Sequence, residues 1–316
     1  MGSRLVPHFD GPQIAQLCPL PQLIESLGSA FSLNREQPVR QLISIDVNKD
    51  FLVMPATSES GYFGAKLISV FEDNPNNNFP AIQGVYCLFE GESGSLAATF
   101  DAGELTARRT AAASALAAMH LSNPGAKNLT ILGTGNLAPY FAEAHSCFRD
   151  IETIAIWGRD YSKADRLART ISLGTGLAVR AEKSVSNAIK EADIISTLTS
   201  ASKPILYGTK LRPGVHLDLV GSHKPNMREA DIECFAVSKV FVDTYPGATT
   251  EAGCLIAARE VLPSGKDLIA SDLSSLTNGT HPGRTTEDEI TLFKSVGCSM
   301  EDLVAATIVY ESVREH

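Results

Sequence analysis

The stretch Asn128–Trp157, NLTILGTGNLAPYFAEAHSCFRDIETIAIW, constrains this chain more than any other. Its apolar run Leu129–Leu132 reads as a buried strand, Gly133-x-Gly135-x-x-Ala138 as a turn into a helix, and Thr153–Trp157 as a second strand. Such a β-α-β unit is suited to a dinucleotide. Gly133 permits the tight turn, and Gly135 carries no side chain to keep the backbone from a pyrophosphate. Ala138 lets the helix close on the strand, and the helix N-terminus offers N–H groups to phosphate. Glycine turns also occur in other α/β folds; here the flanking strands and helix favour nucleotide binding.

The end of the second strand bears on the kind of dinucleotide. An acidic residue there would hydrogen-bond an unphosphorylated ribose, but Gly158-Arg159 follows Trp157, with Ser162 and Lys163 close behind. A guanidinium beside a hydroxyl suits a 2′-phosphate, so NADPH is the expected cofactor. Two alternatives stay open: Arg159 as a solvated loop charge, and Asp160 as a ribose contact, which would make NADH possible.

Composition narrows the class. Acidic residues outnumber basic ones by 36 to 27, giving a net charge of −9, and the positive charges are scattered, which disfavours nucleic acid as a partner. At 316 residues and 44% hydrophobic content, two domains or one large one, with ample core, are feasible. No apolar run approaches a bilayer span, and MGSRLVPHFDG lacks the apolar core of a signal peptide, so no membrane partner and a cytoplasmic location are expected. Cys18, Cys87, Cys147, Cys234, Cys254 and Cys298 form no Cys-x-x-Cys; we expect them reduced and mostly structural. His145 and Cys147 lie close together without further ligands, so no metal site is expected.

Ahead of the nucleotide unit the pattern differs. Residues 12–34 read as helix, followed by strands at Arg40–Ser44 and Asp50–Val53, a turn at Met54-Pro55-Ala56, and strands at Gly64–Phe71, Ile82–Phe89 and Leu96–Phe100. Strands without intervening helices imply a mixed or antiparallel sheet. Lys66 is the one charge inside the run Gly64–Phe71. Glu104–Ser122 reads as a long alanine-rich helix on which Arg109 shares the apolar stripe with Leu105, Ala112, Leu116 and Met119, while Arg108 can pair with Glu104. A charge on a buried face needs a partner, either a structural carboxylate or a ligand. Asn123-Pro124-Gly125 reads as a domain boundary. Beyond it, helix is expected at Ser162–Leu173 and Val185–Ala192. Strands are expected at Leu177–Arg180, Asp193–Leu198, Val215–Val220 and Lys239–Asp243, together a doubly wound parallel sheet. A last helix, Ser299–Val313, opens with Ser299 and Asp302 spaced as a capping box. Glu251 reads as a helix cap, Arg284 as a loop charge, and Trp157 as packing beside the adenosine site.

Eight motifs in order carry a resemblance: QPVR (Gln37–Arg40), MPA (Met54–Ala56), GAKLI (Gly64–Ile68), LTARRTAA (Leu105–Ala112), LGTGNLA (Leu132–Ala138), VGSHKPNMRE (Val220–Glu229), TTEAG (Thr249–Gly253) and TLFKSVG (Thr291–Gly297). Over nearly its whole length the chain resembles the ornithine cyclodeaminase/μ-crystallin family. The resemblance implies an α/β architecture: a mixed α/β substrate-binding and dimerisation domain, residues 1–122 with 294–316, and a doubly wound Rossmann domain, residues 123–293. It implies a homodimer acting on a small imino or amino acid by hydride transfer. Positions matching carboxylate-binding residues are Arg40, Lys66 and Arg109, with Met54 beside them. Cofactor positions are Gly133, Thr134, Gly135, Asn136, Leu137, Ala138, Trp157, Gly158, Arg159, Ser162, Lys163, Thr197, Val220, Ser295 and Gly297.

Arg40, Lys66 and Arg109 each sit inside or beside an apolar run, and a substrate carboxylate would supply the missing counter-charge. Where cyclodeaminases carry an aspartate this chain has His223, and FLVMPA lacks the acid those enzymes place before the MPA turn, so a substrate with a terminal ammonium would lack its partner. The expectation is NADPH-dependent reduction of a cyclic ketimine carboxylate, Δ1-pyrroline-2-carboxylate or Δ1-piperideine-2-carboxylate, to proline or pipecolate. Lys66 and His223 are the candidate proton donors, His223 with the alternative of a loop histidine bonded to backbone. Cyclodeaminase, alanine-dehydrogenase-like or hydroxyproline dehydratase activity on the same scaffold, and a non-catalytic NADPH-binding crystallin, remain alternatives.

Overall fold

The computed structural model describes residues 5–35, 38–59, 61–71, 73–77, 79–263 and 268–314, so Gln37 of the QPVR motif lies outside the described residues. In chain order the elements are β1 (His8–Phe9), α1 (Gly11–Leu17), α2 (Leu20–Ser32), β2 (Gln41–Asp46), β3 (Lys49–Thr57), β4 (Tyr62–Phe71), β5 (Ile82–Glu90), β6 (Leu96–Asp101) and α3 (Ala102–Leu121). Then follow β7 (Asn128–Leu132), α4 (Ala138–Ser146), β8 (Thr153–Trp157), α5 (Tyr161–Thr175), β9 (Ala178–Glu182), α6 (Val185–Ala188), β10 (Ile194–Thr197) and β11 (His216–Leu219). The last are α7 (Ile232–Ala236), β12 (Lys239–Val242), α8 (Tyr245–Glu251), α9 (Gly253–Val261), β13 (Ile269–Asp272), α10 (Leu273–Thr277), β14 (Thr291–Lys294) and α11 (Ser299–Arg314). Two compact units result: Met1–Ala30, Arg35–Thr110 and Cys298–His316 form the first, and Phe31–Asn34 with Ala111–Gly297 the second. The division falls inside α3, upstream of the Asn123-Pro124-Gly125 turn.

The first unit holds a six-stranded sheet in the order β1-β6-β5-β4-β3-β2, antiparallel except for the β1/β6 pair. The helix expected over 12–34 is two helices. Asp10 caps α1 through a capping box with Gln13, and Pro19, which has no N–H to continue the ladder, separates it from α2. Met54-Pro55-Ala56 is not a turn but part of β3. Pairing with β2 stops at Val53, so beyond it β3 is bonded only to β4, and an edge position tolerates the missing proline N–H. In β4 the buried positions alternate, Tyr62, Gly64, Lys66 and Ile68, which puts Lys66 on the covered face. There α11 packs against β3, β4 and β5.

The second unit holds eight parallel strands in the order β13-β12-β14-β11-β10-β7-β8-β9. This is the doubly wound sheet that the β-α-β motif implies. The chain runs outward from β7 through β8 to β9, then returns to the other side of β7 with β10, so the β7/β10 junction is the switch point, where crevices for ligands open. In this sheet two strands were not expected, β13 and β14, as β1 was not in the first. β14 inserts between β11 and β12 with all four residues buried, Lys294 included, and its short, charge-ended run gave no apolar signal. Arg284 is likewise no loose loop charge: its guanidinium donates to the carbonyls of Leu121 (2.7 Å) and Val215 (3.4 Å) and to Thr291 Oγ1 (3.1 Å), clasping the loop before β14 to the end of α3. Glu251 closes α8, and the N-cap of α9 is Ala252, which has no capping side chain. All six cysteines are free thiols. Among the described residues no helix is long and apolar enough to cross a membrane, and no cluster of ligating side chains could hold a metal ion.

Candidate functional site

Two sets of side chains stand out, one in each unit. In the second unit the loop from Gly133 to Leu137 joins β7 to α4. Gly133 adopts φ 145°, a Cβ on it would come 2.7 Å from Leu198 O, and its N–H donates to Trp157 O at 2.8 Å. A Cβ on Gly135 would meet open space, so the backbone there is bare toward solvent. The N-terminus of α4 has no side-chain cap, leaving its dipole and N–H groups for an anion. Ala138 is fully buried beneath it. At the end of β8, Gly158 makes room for Thr134, whose Cγ2 would lie 2.5 Å from an added Cβ. Arg159, Ser162 and Lys163 lie beside it, Asn136 is exposed on the glycine loop, and Trp157 is half-buried against the core of the sheet. Asp160 is engaged locally, its Oδ1 accepting from the N–H groups of Ser162 (2.9 Å) and Lys163 (3.2 Å) as the N-cap of α5.

The rim at the carboxyl ends of β10, β11 and β14 is braced by buried charges that the sequence reading did not single out. Glu229 accepts four hydrogen bonds, at Oε1 from Thr199 N (2.6 Å) and Oγ1 (2.7 Å), and at Oε2 from Thr197 Oγ1 (2.9 Å) and Ser222 N (3.0 Å). Burial pushes its carboxyl upward despite these donors and Lys294. Lys294 donates to the carbonyls of Leu219 (2.8 Å) and Ser295 (2.6 Å), and burial lowers its pKa. Asp243 Oδ2 takes the N–H groups of Val296 (2.7 Å) and Gly297 (2.6 Å), the latter at φ 80°. Thr197, Val220, Ser295 and Gly297 therefore lie on one braced rim, with the Thr197 hydroxyl committed to Glu229. His223 is exposed on the loop after β11, with Nδ1 2.8 Å from Gly221 O. A carbonyl only accepts, so Nδ1 carries the hydrogen and the lone pair of the neutral ring is on Nε2.

In the first unit, cross-strand pairing aligns Met54, Lys66, Tyr86 and Phe100 in one row across β3, β4, β5 and β6, all buried. Lys66 Nζ donates to Asp302 Oδ1 (2.8 Å) and Thr106 Oγ1 (3.1 Å), and Asp302 Oδ2 lies 2.7 Å away but off the axis of a hydrogen bond. Arg109 Nη1 donates to Glu301 Oε2 (2.6 Å), and its Nε is 3.4 Å from Asp302 Oδ1. The protein thus supplies the counter-charges that the sequence reading left to a ligand, from the first turn of α11. The capping box expected there is absent: the Asp302 carboxylate points to Lys66 and Arg109, and Ser299 Oγ has no hydrogen-bond partner among the described residues. Burial pushes Lys66 down to about 8, opposed by Asp302 and assisted by Arg109 and Arg40. Arg40, half-buried just before β2, is thus within electrostatic reach of Lys66. For Arg109, burial opposes the charge, but Asp302 and Glu301 outweigh it and raise its pKa.

The family model for the ornithine cyclodeaminase/mu-crystallin family matches residues 13–316. The chain belongs to this family. A Δ1-pyrroline-2-carboxylate reductase of Colwellia psychrerythraea is 34% identical over 310 residues, 96% of this chain and 98% of that protein. Ketimine reductase mu-crystallin of Rattus norvegicus is 36% identical over 278 residues, 87% and 85% of the two chains. The structure of Thermococcus litoralis Δ1-pyrroline-2-carboxylate reductase in complex with NADH and L-proline superposes with a TM-score of 0.93 at 29% identity, covering 98% of both chains. Sequence motifs include Glu229 and Lys294 without giving them a role, Asp302 reads only as part of a helix cap, and Glu301 and Tyr86 have no signal of their own. Acids in the first turn of a helix look like ordinary dipole complements.

Proposed function

We propose that the chain is an NADPH-dependent reductase of a cyclic ketimine carboxylate, Δ1-pyrroline-2-carboxylate or Δ1-piperideine-2-carboxylate, forming L-proline or L-pipecolate. The observation that carries the reading is the cluster of Lys66, Arg109 and Arg40. Lys66 and Arg109 are buried beside Asp302 and Glu301, half-buried Arg40 lies within electrostatic reach of Lys66, and a third cation added to two ion pairs favours an anionic group such as a substrate carboxylate. Relatives of the same family named for this activity support it.

The open approach to Gly135, the uncapped α4 and the small residues at Gly158 and Ala138 fit a dinucleotide. Gly133–Ala138 would hold its pyrophosphate and Arg159, Ser162 and Lys163 a 2′-phosphate, with Asp160 Oδ1 engaged in capping α5. When bound, it supplies the hydride. The chain's own residues do the rest: Arg40, Lys66 and Arg109 fix the carboxylate, with Met54 beside them, and so orient the C=N carbon. Lys66 Nζ, brought down to about 8, protonates the imine nitrogen near neutral pH. His223 is the second candidate, acting as the imidazolium, whose Nε2 carries a hydrogen while Nδ1 donates to Gly221 O. A homodimer with a cytoplasmic location completes the reading. Its subunit contact is best sought at β2, an outermost strand where Leu42, Ile43 and Ile45 expose apolar side chains on both faces.

A second reading has one observation in its favour. Lys66 and Arg109 already have partners in Asp302 and Glu301, so the cluster could be purely structural in a protein that binds NADPH without turnover. Initial-rate oxidation of NADPH, and separately NADH, with Δ1-pyrroline-2-carboxylate decides between them. Fast NADPH oxidation is the expected result, and tight NADPH binding without oxidation of either cofactor would overturn the reductase reading.

A further inference from the structure

Some buried polar atoms have no hydrogen-bond partner among the described residues, and three of them belong to the Asp302 neighbourhood: Tyr86 Oη, Arg109 Nε and Asp302 Oδ2. Arg109 Nε and Asp302 Oδ2 have only off-axis ion-pair neighbours, at 3.4 and 2.7 Å, and Tyr86 Oη has none; native interiors leave few such atoms, so the phenol above all calls for a ligand. Tyr86 stands directly across the strand pair from Lys66, with no solvent exposure. Its position depends on Gly64, where a Cβ would come 2.5 Å from the phenol oxygen. Met54 and Phe100, its row-mates, are apolar and offer the hydroxyl nothing.

The three atoms differ in kind. Tyr86 Oη–H and Arg109 Nε–H are donors, and Asp302 Oδ2 is an acceptor. A neutral hydrocarbon ligand would leave all three unmet, and a dicarboxylate would leave the acceptor facing like charge. A protonated ring imine bearing a carboxylate matches them: its carboxylate accepts two bonds and its N–H gives one. We infer that Tyr86 donates to the substrate carboxylate alongside Arg109 and that Asp302 Oδ2 receives the N–H of the ring nitrogen, an assignment that rests on the ketimine reading above. Burial, with Asp302 beside it, pushes the Tyr86 phenol well above its usual pKa, so it stays a donor throughout the working range. Asp302 Oδ2 also lies 2.7 Å from Lys66 Nζ, so the proton that Lys66 gives to the imine finds its acceptor next to the donor.

The test uses two planar probes that differ in one atom, pyrrole-2-carboxylate with a ring N–H and furan-2-carboxylate with a ring oxygen. Both are titrated calorimetrically into the full-length protein saturated with NADPH. The wild type should bind the pyrrole at least ~10-fold more tightly, the worth of one hydrogen bond to a charged group. Tyr86→Phe should weaken both probes ~10-fold or more without changing their ratio and without lowering Tm, since it removes an unmet hydroxyl and leaves the ring packed. Asp302→Asn should shrink the ratio toward unity. Equal binding of the two probes by the wild type, or unchanged affinities in Tyr86→Phe, overturns the assignment even where NADPH-dependent ketimine reduction is intact. A wild type that binds neither probe and reduces no ketimine overturns this inference and the functional reading together.

Discussion

Replacing Lys66 by Met separates a structural cluster from a working one. The side chain is fully buried, and its ammonium is the better placed of the two cations on Asp302, at 2.8 Å from Oδ1 against 3.4 Å for Arg109 Nε. Removing one partner of a buried pair typically costs ~3–5 kcal/mol, because the charge left behind stays out of water. Arg109 remains beside Asp302, so we expect the low end, about 3 kcal/mol in urea unfolding. Lys66→Met with Asp302→Leu removes both charges and leaves Arg109 on Glu301; it should recover about 2 kcal/mol of that loss as the coupling energy of neighbours. Activity should not follow stability. Turnover of Δ1-pyrroline-2-carboxylate should fall ~100- to 10,000-fold in both variants, the range for losing a positioned acid, while fluorescence titration gives NADPH affinity within about twofold of wild type. The residues assigned to the nucleotide all lie in the second unit, and Lys66 lies in the first. If the double variant regained turnover with its stability, or if Lys66→Met lost NADPH binding as well, Lys66 would be a structural residue and the proposed mechanism would fail.

Other consequences can be checked independently. Arg159→Ala should weaken NADPH ~10- to 100-fold and NADH by less than about twofold, as expected for a charge-assisted bond to one phosphate; equal losses would exclude a 2′-phosphate clamp. His216 is fully buried, and burial takes it down to about 3, so the native state stays unprotonated while the unfolded chain takes up a proton below about 6.5. Stability should therefore be complete above that pH and fall as pH drops from about 6.5 toward 3, by about 2 kcal/mol at pH 5. His216→Asn should remove that part of the pH dependence in urea unfolding measured at pH 7 and 5, and an unchanged slope would show that other groups set it. Glu229→Gln turns an amide toward four donors and should cost about 1–3 kcal/mol, read from the urea midpoint; full stability would mean the brace on the β10 and β11 loops is dispensable.

Much of the fold was written in local pattern. The strand, glycine turn and helix at Leu129–Ala138 are fixed within ten residues, and so is the Asp160 cap, because each depends on backbone freedom and near neighbours. The same locality explains what went unread. Pro19 splits a periodic run into two helices, and Pro55 reads as a turn because nothing local shows that the pairing of β3 with β2 ends at Val53. β14 has only two apolar residues, Leu292 and Phe293, too few to announce a strand.

The chain alone determined that Lys66 and Arg109 are charges on buried faces, since period 2 and period 3.6 place them there. It could not name their partners. Asp302 lies 236 positions from Lys66, and Glu301 lies 192 from Arg109. At the start of a helix their local chemistry is indistinguishable from capping. Only the packing of α11 on β3, β4 and β5 turned two acids into the counter-charges of the cluster and left the Tyr86 hydroxyl without a hydrogen-bond partner among the described residues. Coulomb forces and hydrogen bonds act over a few ångströms of space, and sequence spacing carries no record of distances that the tertiary fold alone creates.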